Sequence, residues 1–168
     1  MRRIILLAGF VLLLSAIFTG SALGGPGGTD LPLKGSYSGL STIDLVTGDV
    51  DVNWTGNTTL LGRNTVTADG SVISTGPNTF DFSSTWTIMT ASGDEITGSC
   101  EGGGTIDETG DTTLELECTF DSFEGRFEGV TADFDLTIES TFLSSDGTTA
   151  NYQDEATEAG LVSLNLNL

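Results

Sequence analysis

An all-β fold, a single antiparallel β-barrel of about eight strands arranged as a meander, is the class this chain predicts. Three observations carry it. Apolar residues recur at every second position in run after run, short Gly- and Asp-bearing turn sequences separate those runs, and nothing beyond the N-terminal leader has helical period.

Taken in order, Tyr37, Ile43 and Leu45 share one parity, and Val50, Val52 and Trp54 share the next. Phe80, Phe82, Ser84, Trp86 and Ile88 alternate with Asp81, Ser83, Thr85 and Thr87. Leu114, Leu116, Cys118 and Phe120 alternate with Thr113, Glu115, Glu117 and Thr119, and Phe134, Leu136, Ile138 and Phe142 alternate with Asp133, Asp135, Thr137 and Glu139. Val162, Leu164, Leu166 and Leu168 close the series. Each run is a strand with one dry and one wet face. Turn sequences lie at Thr47-Gly48-Asp49, Asp69-Gly70, Ser92-Gly93-Asp94, Thr109-Gly110-Asp111 and Ser145-Asp146-Gly147. Connections this short imply antiparallel hairpins joined in sequence, and such a meander must close or stack to hide its edges, as a barrel or a sandwich. The one helical turn expected spans Asp154 to Glu158.

The chain opens with Arg2 and Arg3, an apolar run from Ile4 to Phe18, and small residues at Gly20, Ser21, Ala22 and Gly24. That layout predicts a secretory signal cleaved after Ala22 or Gly24, with a retained membrane anchor as the alternative. The expected division is a signal over 1–24, a flexible Gly-rich lead-in over 25–32 and the barrel over 33–168. No later apolar segment is long enough to span a bilayer as a helix. The expected location is outside the cell or at its envelope.

Charge narrows the partners. With the leader gone, all 24 acidic residues remain against Lys34, Arg63 and Arg126, a net charge of −21, and the chain has no His. A nucleic-acid-binding face needs Lys and Arg, so that class is excluded. The acidity fits solubility outside the cell, adaptation to high salt, or a need for Ca²⁺. Acidic residues gather near turns at Asp44, Asp49 and Asp51 and at Asp107, Glu108 and Asp111, but neither group follows the EF-hand or nonapeptide pattern. No cofactor is expected.

Cys100 lies nine residues before Thr109 and Cys118 nine after it, both on the dry parity. A hairpin turning at Asp107 to Asp111 would set the two thiols opposite each other, and export favours their oxidation. Closing a loop of this length contributes roughly 3 kcal/mol in the chain-entropy model.

Trp54, Trp86, Phe80, Phe82 and Phe134 share the dry parity, as core or as the wall of a pocket for an apolar guest. Arg63 and Arg126 are scarce cations among carboxylates, expected to bridge strands as ion pairs. Asp94 and Glu95 read as part of a turn rather than as a base pair, since neighbours on a strand face opposite ways. No His and no G-x-S-x-G segment occurs, so triad hydrolase chemistry is excluded. Asn53-Trp54-Thr55 and Asn57-Thr58-Thr59 match the glycosylation pattern.

Leu61-Gly62-Arg63-Asn64-Thr65, the stretch from Ala91 through Gly93-Asp94-Glu95-Ile96 to Gly98, and Glu124-Gly125-Arg126-Phe127-Glu128-Gly129-Val130 occur in a telling order. Over most of the exported chain these segments resemble a group of small secreted bacterial proteins that looks like the allene oxide cyclase and dirigent class. Phe123, Glu124 and Asp133 depart from that group's usual small or uncharged residues. The resemblance implies an eight-stranded antiparallel barrel that holds a reactive guest, as those cyclases steer an oxylipin and dirigent proteins steer phenoxy radicals. It assigns no catalytic residue here.

The expected function is non-catalytic binding of a small apolar ligand or an extracellular surface component. The alternatives are a cofactor-free cyclase-like or dirigent-like enzyme and a Ca²⁺-dependent structural or adhesive module.

Overall fold

The computed structural model describes residues 28–123 and 130–165. Eight antiparallel strands form a closed barrel in which each strand pairs with its neighbours in sequence and β8 returns to β1. They are β1 (Gly28–Asp44), β2 (Asp49–Thr58), β3 (Gly62–Ser74), β4 (Thr79–Thr90), β5 (Glu95–Ile106), β6 (Thr112–Phe123), β7 (Val130–Ser145) and β8 (Thr149–Asn165). The expected signal segment lies outside the described residues. β1 starts at Gly28, so its first residues fall in the stretch read as a lead-in, and they pair with β8 from Gly28↔Asn165 onward.

The two-residue alternation is regular in β2 and β7 and lapses in the second halves of β3 and β5. In β7, Ala132, Phe134, Leu136, Ile138 and Ser140 are buried while Thr131, Asp133, Asp135, Thr137, Glu139 and Thr141 are exposed. This outward face is polar and acidic, where a bilayer-spanning barrel carries an apolar band.

Two expectations are corrected. Asp69-Gly70 is not a turn: β3 runs straight through it, with Gly70 paired to Val50 and to Ser84, and the chain reverses later, at 75–78. Gly48, Gly93, Gly110 and Gly147, in the other four turn sequences, all have positive φ, the backbone state that costs any other residue most. Gly70 is there for space instead, since an added Cβ would crowd the Phe82 ring and the Ser83 carbonyl. The second correction is at Asp154 to Glu158, which is strand rather than helix. Tyr152, Asp154, Ala156 and Glu158 point inward and Glu155 and Thr157 outward. Two acids on the dry parity disguised the period.

Glycines also shape the inner wall. Gly56 stands directly across from Tyr37, Gly39 from Trp54, Gly98 from Trp86, Gly104 from Phe80 and Gly160 from Phe134. Each large ring lies over a position with no side chain, where a Cβ would collide with ring or backbone atoms. Gly98 is confined most tightly, between the Trp86 ring and the Thr119 carbonyl, at a register shift of β5. Gly98→Ala is therefore expected to cost about 1–3 kcal/mol by overpacking. Urea unfolding measures it, and an unchanged midpoint would show that the wall yields freely.

Cys100 and Cys118 are register partners on β5 and β6, with Cα atoms 4.1 Å apart, and form a disulfide as their spacing predicts. The bond faces inward and both residues are buried.

Candidate functional site

An eight-stranded barrel has an interior just wide enough to be filled by side chains or to hold one small ligand. Here glycine takes several inward positions, and a cavity of about 280 Å³ remains. Its lining runs from Leu45, Ser74, Pro77 and Ile106 at one end down past Tyr37, Trp54 and Trp86. The end it reaches carries the β1–β2, β3–β4, β5–β6 and β7–β8 turns.

Trp54, Trp86, Phe80, Phe82 and Phe134 all line this space. On one side Trp86, Phe120 and Phe134 form a cluster, with ring centroids 5.3 Å apart for Trp86 and Phe120 and 5.2 Å for Phe120 and Phe134. Such tilted and edge-on contacts stiffen a wall. On the other side Tyr37 and Trp54 lie 6.1 Å apart.

Beside that second pair stand two buried carboxylates that sequence reasoning missed. Asp154 is 1% exposed and Glu158 4%. The Trp54 indole Nε1 donates to Asp154 Oδ2 at 2.8 Å, and the Tyr37 hydroxyl donates to Glu158 Oε2 at 2.8 Å. The other oxygens, Asp154 Oδ1 and Glu158 Oε1, have no hydrogen-bond partner among the described residues, nor does Trp86 Nε1. A buried polar atom without a partner is costly and calls for an explanation. The available signal was an acid at the inward parity of the last strand.

Burial pushes the Glu158 carboxyl up to about 7, with the Tyr37 hydrogen bond pulling the other way. Burial first, and then the Glu158 charge, push the Tyr37 phenol well above its ordinary value, so it stays a neutral donor.

The acidic turns have other work. Asp44 Oδ1 accepts from the Val46 and Thr47 amides, Asp107 Oδ1 from those of Thr109 and Asp111, and Asp146 Oδ1 from those of Thr148 and Thr149. Those bonds lower each carboxyl below the usual range: backbone bonds lead at Asp44 and Asp146, and the Thr109 hydroxyl leads at Asp107. They are local turn fasteners. No group of three metal-ligating side chains gathers among the described residues. Asp94 likewise serves its turn, accepting from the Ser92 hydroxyl at 2.6 Å.

Arg63 is exposed on the outer face of β3 opposite Asn57, away from the cavity, and Arg126 lies outside the described residues. Asn53 and Asn57, of the glycosylation triplets, are exposed on β2.

Fold and site together define a class: a closed antiparallel barrel with an apolar chamber and buried acids on one wall. No family model, curated protein or solved structure matches the chain.

Proposed function

We propose that the protein is an exported binding barrel that holds one small, largely apolar guest in its interior. The observation that carries this reading is the cavity of about 280 Å³, walled by aromatic and aliphatic side chains with a few polar atoms converging on it. Ligand sites combine an apolar lining with a few placed polar groups in this way. The leader sequence supports export, and the disulfide is compatible with an oxidising compartment. The likeness to the allene oxide cyclase and dirigent class, carried by sequence segments, is consistent with this architecture at the level of fold alone.

One observation favours a second reading, a cofactor-free catalyst that steers a reactive substrate. Glu158 lines the cavity with a carboxyl raised to about 7, the range in which a group can both give and take a proton at neutral pH.

Native mass spectrometry of the protein recovered from its host's culture tests the first reading. The expected spectrum shows a retained organic mass on a polypeptide lacking its leader and two hydrogens. Only bare polypeptide, together with no uptake of any small aromatic compound, would defeat it.

A further inference from the structure

The polar atoms left over inside the barrel describe the guest more narrowly. A carboxylate oxygen is an acceptor only, and the ionised group asks for donors on both oxygens. Asp154 has one on Oδ2, the Trp54 indole, and none on Oδ1. It lies on the cavity wall with its side chain almost wholly buried. A buried, half-satisfied carboxylate is among the costlier features a fold can carry, and a bound cation relieves it.

Three surroundings point the same way. The Tyr37 and Trp54 rings flank this wall, and aromatic faces attract cations. Glu158, two inward positions deeper on β8, supplies a second acidic group on the same wall, and its Oε1 also lacks a partner. The end of the barrel that the cavity reaches carries Asp44, Asp49, Asp107, Asp111 and Asp146, so the field there draws cations and repels anions. The rest of the lining is largely apolar, Phe82, Trp86 and Phe134 among it, with scattered hydroxyls at Ser41, Ser84, Thr112 and Ser140, so it suits a mainly hydrocarbon or aromatic body.

We propose that the guest is a small apolar amine whose ammonium donates to Asp154 Oδ1 while its hydrocarbon or aromatic part lies among Trp54, Phe82, Trp86 and Phe134. A dry cavity of about 150 Å³ takes benzene, so this one suits a molecule of roughly up to twice that size. The assignment rests on the interior binding proposed above and adds the charge of the guest.

Calorimetric titration of the whole folded protein at neutral pH with three matched probes tests it: 2-phenylethylamine, neutral ethylbenzene and anionic phenylacetate. The amine is expected to bind at least about ten-fold more tightly than ethylbenzene, as charge-assisted hydrogen bonds exceed neutral contacts, and phenylacetate not at all. Asp154→Asn, which leaves an acceptor for the Trp54 indole, is expected to remove the amine's advantage while ethylbenzene binds as before. Ethylbenzene also reports that the variant is folded. Equal binding of amine and ethylbenzene, or an advantage that survives Asp154→Asn, overturns the amine assignment and leaves interior binding standing. Failure of all three probes overturns the amine assignment, and joined to a native mass spectrum of bare polypeptide it overturns interior binding as well.

Discussion

Raising sodium chloride from about 10 mM to about 1 M is expected to raise the melting temperature by about 10 °C, because the Debye length falls from about 30 Å to about 3 Å. The reason is in the strand register. Glu101 pairs with Glu117 and Glu117 with Asp135, a row of three acids across β5, β6 and β7. Asp51 stands opposite Asp69, and Glu139 opposite Glu155. All of these are exposed on the outer wall.

Like charges directly across a ladder destabilise by a few tenths to about 1 kcal/mol each. Four such contacts, set in a chain of net charge −19 with its leader attached, amount to about 3 kcal/mol that salt can recover. Side chains at that spacing lie inside the Debye length of 0.1 M salt, so full screening needs concentrations nearer 1 M. Glu117→Gln removes two of the contacts and separates this effect from the general action of salt. It is expected to stabilise by about 1 kcal/mol at low salt and hardly at all at high salt. Thermal unfolding of both proteins across the salt range decides the matter. A flat profile for the parent chain would mean that the outer carboxylates are already neutralised by some other means.

Stability is also expected to fall as pH rises from about 4.5 to about 7, by on the order of 3 kcal/mol, through Glu158 alone. The folded carboxyl titrates at about 7 against an ordinary 4.5. Between those values the folded chain holds a proton that the unfolded chain has released. The contribution is therefore complete below the unfolded value and lost as pH climbs through the folded one. Asp44, Asp107 and Asp146 work in the opposite sense, since their lowered values give a contribution lost only as pH drops below the ordinary carboxylate range. They are solvent-exposed, so their share is small.

Glu158→Gln should flatten the neutral limb and leave the variant more stable than the parent at pH 8. The glutamine carbonyl can still accept from the Tyr37 hydroxyl while no charge is left buried. Urea titrations at pH 4.5, 6 and 8 in high salt, where surface repulsion is damped, measure the difference. If the parent's slope persists in Glu158→Gln, another group is responsible. A buried acid that lowers the stability of the fold is the cost that the binding role proposed above would explain.

Much of this protein is written locally. The alternation at Leu114, Leu116, Cys118 and Phe120 makes a strand of β6 wherever it is placed, because side chains of successive strand residues point to opposite faces. A glycine at Gly48, Gly93, Gly110 or Gly147 marks a reversal because the turn needs positive φ. The pairing of Cys100 with Cys118 follows from the turn between them. Where the local signal misled, a long-range demand had overridden it. Gly70 makes room for the Phe82 ring of the neighbouring strand, and Asp154 and Glu158 occupy inward positions that a single strand would reserve for apolar residues.

The β character of most walls, their joining as sequential antiparallel hairpins and their dry face were thus legible in the sequence itself, since each depends on residues a few positions apart. Only the closed barrel decided that β8 seals against β1 and that glycines opposite Tyr37, Trp54 and Trp86 leave a hollow rather than a filled core. It also decided that the indole of Trp54 meets Asp154, a hundred residues further on. Those outcomes depend on register and volume summed around a ring of strands, and no window of sequence contains that sum.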